Sequence, residues 1–197
     1  HKVREELVQL ARVAAAPAQK KEKPAPQGLL LGDGTVPEEM AVAAQRVVGI
    51  RDALVGPAFL KHILTAAAVT DAQMGASEVW STLKRDGRVL GDPVEAERGQ
   101  LAFFRATHDL DRDGAADESV TMAAVVERNR GDGTLVCIGE FHGEVQRFAV
   151  TPSRPQARRT RDGSSALNVP MRHRSLSDPP EAPLWSGQLF VGIGRVR

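Results

Sequence analysis

The densest run of side chains able to do chemistry is Asp109-Leu110-Asp111-Arg112-Asp113-Gly114-Ala115-Ala116-Asp117-Glu118. Carboxylates at alternate positions ahead of a glycine let a tight loop aim the oxygens of Asp109, Asp111 and Asp113 at one hard cation. Gly114 permits the sharp turn, and a backbone carbonyl and Asp117, with Glu118 beside it, complete the shell. Crowded carboxylates offset by the single Arg112 repel one another unless a cation or a nearby arginine neutralises them. The expected ligand is calcium. An EF-hand loop would carry a bidentate Glu at its twelfth position, where Val120 stands, and would lie between helices. Strand-like sequence flanks this loop, so the expectation is a calcium loop connecting two strands. The alternative is an acidic turn whose Asp side chains only accept local backbone N–H groups.

Other reactive groups are sparse. The lone Cys137 lies in the run TLVCIG, where a buried small hydrophobe is the ordinary reading. His142 follows it past a turn, and a Cys137–His142 pair is one thiol-based arrangement; any displaced thiol chemistry would use Cys137 with a histidine. A single cysteine excludes an internal disulfide framework and a multi-thiolate zinc site. His62 falls on a predicted helix and reads as structural. His108 adjoins the acidic loop and could join its ion site, although calcium prefers oxygen ligands. No phosphate-cradling loop, GxGxxG fingerprint, HExxH motif or serine elbow is present. The basic stretch Arg154, Arg158, Arg159, Arg161, Arg172, His173 and Arg174 lacks interleaved aromatics and reads as a solvated loop. The net charge of +1 supplies no field toward nucleic acid or membrane, and the absence of tyrosine leaves little for stacking bases. No apolar run approaches the roughly 20 residues of a membrane span.

The elements that must position these groups follow from periodicity. Val3, Leu7, Leu10 and Val13 give residues 1–16 an amphipathic helical arm, and the Pro- and Lys-rich residues 17–36 form a linker. The domain proper spans 37–197, and 197 residues suffice for one sizeable core. Helices are predicted from Pro37 to about Leu54, from Pro57 to about Ala68, and from an N-cap at Ser77 to Asp86-Gly87. After Pro93 the pattern changes to short apolar or alternating runs, 100–105, 120–127, 134–139 and 144–150. Arg130-Gly131-Asp132-Gly133 and His142-Gly143 read as hairpin tips. Residues 151–183 read as loop, and 184–196 as a helical turn with a closing strand. Helices first and a meander of strands second is an α+β pattern.

That order of segments resembles a CHAP or NlpC-type papain-like domain over about residues 40–197. Gly99-Gln100-Leu101-Ala102-Phe103-Phe104 is similar to the family's strand "GDLVFF", and Thr121-Met122-Ala123-Ala124-Val125-Val126-Glu127 to its "THVGIVE". Asn168 and then Ser186-Gly187-Gln188-Leu189-Phe190-Val191-Gly192 resemble the closing stretch of a bacterial CHAP-like group. The resemblance implies a papain-like fold, with N-terminal helices packed on an antiparallel sheet or half-barrel. It also implies descent from cysteine hydrolases of peptidoglycan peptides, which place a thiolate at a helix N-terminus and a histidine on the facing strand.

Laid over the family's "DCSGF", Val55–Phe59 puts Gly56 at the nucleophile position, and Met122 stands at the base position. Glycine has no nucleophile, and a thioether accepts no proton at neutral pH. The implied protein is a pseudoenzyme. Its groove, lined near Gly56, Phe59 and Met122, binds a peptidoglycan peptide or an envelope protein without cutting it. Family habit, together with an opening at His1 where Met would stand, leads to the expectation of a periplasmic or secreted protein. Two alternatives stay open: an active amidase or peptidase using displaced residues, and an assembly subunit gripping partners through its arm and Arg-rich loop.

Overall fold

The computed structural model describes residues 36–69, 73–108, 120–174 and 178–196. The expected arm, most of the linker and the acidic loop at 109–119 lie outside them. Helix α1 spans Val36–Arg46, with Pro37 in its first turn, Glu38 and Glu39 against the positive helix end and Arg46 in the last turn. It begins within the expected linker, and Val36 is already buried. Its end comes well before Leu54. Gly49 takes the left-handed conformation at φ +88°, and its N–H donates to Val145 O at 2.8 Å rather than to the helix. The chain then runs beside a strand, with Val145 N–H donating to Ile50 O and Asp52 N–H to Gly143 O. Tertiary pairing has taken these groups from the helix.

Helix α2, Pro57–Ala66, turns Phe59, Leu60, Ile63 and Leu64 into the core. Helix α3, Ala76–Arg85, buries Val79, Thr82 and Leu83. Its cap differs from expectation. Gly75 is the N-cap and donates its N–H to the Glu78 carboxylate at 3.2 Å, while Ser77 lies inside the first turn and is exposed. Here Glu78 reaches back to satisfy an N–H that the helix leaves open.

The strands are β1 (Val89–Leu90), β2 (Leu101–Phe104), β3 (Met122–Asn129), β4 (Leu135–Phe141), β5 (Glu144–Val150) and β6 (Phe190–Gly194). They form one sheet in the order β1-β6-β2-β3-β4-β5, every neighbouring pair antiparallel. The four-residue helix α4, Ser186–Leu189, leads straight into β6. The architecture is α+β, with helices on one face of an antiparallel sheet.

Both faces are covered, so β2 is buried along its whole length. Toward the helices face Leu101, Phe103, Ala123, Val125, Ile138 and Val145. Opposite them, Ala102, Phe104, Met122, Ala124, Cys137 and Phe148 form a second core with Met171 and Leu189. Helix α3 approaches closely because β6 carries glycines. A Cβ on Gly194 would fall 2.5 Å from Leu83 Cδ1, and one on Gly192 2.9 Å from Trp80 Cη2.

The sequence reads 151–183 as loop, and the second face is closed by the described residues of 151–185, which hold no named helix or strand. They nonetheless bury Leu167, Asn168, Met171 and Arg172. A coil over a sheet must satisfy its backbone groups by other means, and Asn168 does much of this. Its Oδ1 accepts from Thr151 N–H at 2.9 Å, and its Nδ2 donates to the carbonyls of Arg154 and Ala157 at 2.9 and 2.7 Å. Ser186 Oγ donates to Ala149 O at 2.9 Å.

Most of the arginines expected to be solvated here have partners within the chain. Arg172 is paired with Asp178, Arg174 donates to the carbonyls of Pro179 and Pro180, Arg159 donates to Gly163 O, and Arg158 lies 4.4 Å above the Trp185 ring.

Candidate functional site

The N-terminal ends of α2 and α3 open into a common cavity of about 670 Å3. Most of its buried lining is apolar, with Phe59, Leu60, Val120, Met122, Phe141 and Met171. Its more exposed lining is polar, with Ser77, Glu78, Thr107, His108, Thr121, Glu140, His142 and His173. Arg172 and Asp178 add an ion pair. An apolar interior with a few convergent polar groups is the usual form of a ligand site.

Gly56 stands at the N-cap of α2 with φ +59° and ψ −125°, a conformation that side chains resist, and Pro57 opens the helix behind it. The Gly56 N–H donates to Glu140 Oε2 at 2.7 Å, while Glu140 Oε1 accepts from Gly143 N–H at 3.0 Å. The positive end of α2, the environment that lowers a thiol pKa in a cysteine hydrolase, is thus engaged by a carboxylate from β4. Each Glu140 oxygen takes one N–H, about half of what a carboxylate accepts.

Gly56, Phe59 and Met122 all line the cavity. Met122 packs with the core on the sheet face away from the helices, and its bulk is admitted by Gly139 on β4: a Cβ there would sit 2.7 Å from Met122 Cε. Facing the helices from the start of β3 is Ala123. Neither side chain moves a proton.

Cys137 is fully buried in the second core and is not among the cavity's lining residues. Burial pushes its thiol far above the ordinary range, and the Glu127 charge adds to the shift. His142 stands at the cavity mouth on the β4–β5 turn, so the expected alternative of a Cys137–His142 couple has its sulfur in the core and its imidazole in solvent. His62 is exposed on α2.

His108 borders the cavity. Thr107 Oγ1 lies 3.0 Å from its Nδ1 and 2.7 Å from Thr121 Oγ1, which also accepts the Thr107 N–H. These bonds tie the end of β2 to the start of β3. The carboxylates between them, Asp109, Asp111, Asp113, Asp117 and Glu118, fall outside the described residues. Among the described residues no three His, Cys, Asp or Glu side chains are grouped to hold a metal ion.

Sequence reasoning did not place Glu140, His173 or the α3 end at the site. Gly56 and Glu140 are 84 positions apart, and only the folded sheet brings them together. No helix among the described residues is long and apolar enough to cross a membrane. Compared with family models, curated proteins and solved structures, the chain gives no significant match.

Proposed function

We propose that this chain is a papain-like domain of the CHAP or NlpC kind that has given up hydrolysis and works as a recognition module of the bacterial envelope, periplasmic or secreted. The cavity between the α2 end and the sheet holds a peptide, such as a peptidoglycan stem peptide or a segment of an envelope protein, and releases it uncut. One observation carries the reading: the helix end that would stabilise a thiolate donates to Glu140 at 2.7 Å, with a glycine where the thiol would be. The cavity keeps the volume of a ligand site, and the burial of Cys137 favours binding over displaced thiol chemistry.

The test is titration calorimetry with soluble stem peptides, with the same mixtures followed by mass spectrometry for cleavage. Saturable binding and intact peptide are expected. Ser77→Trp, an exposed lining position whose enlargement fills the cavity without entering the core, weakens binding about tenfold or more, a loss of about 1.4 kcal/mol. Cleaved peptide, or the absence of binding by the parent chain, refutes the proposal.

A further inference from the structure

Arginines collect at the end of the sheet opposite the cavity. The β3–β4 turn carries Arg130, the turn after β5 carries Arg154, and a short excursion at 158–167 carries Arg158, Arg159 and Arg161. That excursion doubles back on itself, with Arg159 bridged to Ala166, Leu167 N–H donating to Arg158 O and Thr160 N–H to Ser165 O. Arg130 Nη1 donates to Ala166 O at 3.0 Å, which joins the excursion to the β3–β4 turn. A Cβ on Gly133 would lie 3.7 Å from Ser153 Oγ, so the turn after β5 sits beside the same tip. All of these arginines are exposed.

Their partners hold them without neutralising them. Arg130 and Arg159 donate to carbonyls, Arg158 lies over the Trp185 ring, and none of the set has an ion pair among the described residues. The acids on these turns are bound into the turns themselves. Asp132 accepts from Thr134 N–H at 2.9 Å, and Asp162 from Ser164 N–H at 3.1 Å and from the Thr160 hydroxyl. The adjoining 92–97 turn adds Asp92, Glu95 and Glu97, set against Arg128 and Arg195, and Glu127 is matched by Arg147. The described surface at this end therefore stays cationic. Glu78, His108, Glu140 and the points where the acidic stretch leaves and rejoins the described chain are at the cavity, the other end. Charges are screened beyond about 8 Å at physiological ionic strength, so an approaching surface meets this local set and not the net +1 of the chain.

We propose that this end of the domain docks on an anionic bilayer surface through Arg130, Arg154, Arg158, Arg159 and Arg161, with the cavity facing away from the lipid. The inference does not depend on what the cavity holds. Each basic side chain near an anionic bilayer adds about fivefold to partition, and such docking needs charge alone. Guanidinium forks match phosphate oxygens, and headgroups that move in the plane can gather under cations fixed on separate turns. A protein partner would need an apolar centre to its interface. Of the exposed large apolar side chains among the described residues, Ile50, Val55 and Val94, only Val94 lies near this end, 4.0 Å from where a Gly133 Cβ would stand. Single-stranded nucleic acid would need open aromatic faces, and the ring at this surface, Trp185, is already covered by Arg158.

The test is co-sedimentation of the full chain with vesicles of phosphatidylcholine alone and of phosphatidylcholine with about one-third phosphatidylglycerol, at about 0.05 M and about 0.5 M salt. Binding to the anionic vesicles at low salt, its loss at high salt and no binding to neutral vesicles are expected. Arg154→Gln/Arg161→Gln removes two side chains that make no bond among the described residues, so the fold holds while anionic partition drops about tenfold or more. Lys61→Gln/Lys84→Gln removes the same charge from exposed positions on α2 and α3 and lowers partition less than about twofold. Equal losses in the two variants, or an arginine variant that binds like the parent, overturn the proposal. So does sedimentation with neutral vesicles, or a chain that ignores both kinds of vesicle, whether or not it binds polyglutamate or DNA. The stem-peptide titration is read separately, so either result stands without the other.

Discussion

Glu127 and Glu140 belong to adjacent strands and each meets a helix, at opposite ends of the sheet, but their surroundings differ. Glu127 accepts two bonds from the Arg147 guanidinium at 2.6 and 2.7 Å and one from Gln45 of α1 at 2.9 Å. Beside it Arg98 donates to both Glu38 oxygens and to the Glu127 carbonyl. Its charge is matched by cations and its lone pairs are largely used. Glu140 accepts from two backbone N–H groups, has no ion pair among the described residues and lines the cavity. A carboxylate closed by guanidinium groups fastens elements together, whereas one that keeps acceptor capacity at a cavity is available to a ligand.

The largest effect is expected where the open end is cut. Glu140→Ala removes the partner of two backbone donors and leaves α2 starting at a glycine that has no side chain to cap it. The expected loss is about 1 to 2 kcal/mol of stability, read from denaturant unfolding, as for the removal of a cap. Binding of the stem peptide should weaken in the same variant. A variant that keeps both the parent's unfolding midpoint and its stem-peptide affinity would erase the distinction drawn between the two carboxylates.

The same contrast explains what was legible from sequence. α2, α3 and β2 to β5 follow apolar periodicity, and their predicted limits lie within a few residues of the observed ones because each buries its stripe locally. Gly56, Phe59 and Met122 were placed on one groove only by the resemblance to CHAP or NlpC-type motifs, and all three line the observed cavity. The loop character of 151–183 was legible, but not that its described residues pack against the sheet. Its buried residues, Leu167, Asn168, Met171 and Arg172, follow no period, and its order depends on hydrogen bonds such as Asn168 to Thr151 that arise only once the sheet exists. The α1 overrun has the same origin, since Gly49 N–H and Ile50 O pair with β5. Glu140 reads in sequence as one more charge near a hairpin. Its role needs Gly56 as a neighbour.

A smaller effect is expected at the closed end, and its sign can be worked out. The hydrogen bonds from Arg147 hold the Glu127 carboxyl below the usual carboxylate range, with Gln45 helping and burial opposing. A depressed folded pKa contributes stability that is present above the unfolded carboxylate value and lost as pH falls through the folded one. Arg147 is 47% exposed, so solvent screening limits the contribution to about 1 kcal/mol or less. Glu127→Gln should therefore lower the melting temperature slightly at neutral pH, and this difference should shrink under acid conditions below the ordinary carboxylate range. Stem-peptide affinity at neutral pH should stay unchanged. A loss of affinity would make Glu127 part of the site and break the contrast.

The smallest effect concerns calcium, and it should be confined to one end of the sheet. The acidic stretch leaves the described chain after His108 and returns at Val120, both at the cavity, and its ends are tied by the Thr107–Thr121 bonds. A weak calcium site formed by Asp109, Asp111 and Asp113 would fix that connection. At a calcium concentration near the dissociation constant the gain is RT ln 2, about 0.4 kcal/mol, which makes the melting shift small. The more telling measurement is the set of backbone amide resonances during a millimolar calcium titration. Thr107, Thr121 and Met122 should move and saturate together, while Glu127, Arg128 and Arg147 stay in place, and Asp111→Ala should abolish the response. Identical shifts in Asp111→Ala would remove the calcium loop. Equal shifts around Glu127 would mean that the ion acts on the whole sheet, and the open end would lose its claim to be the responsive one.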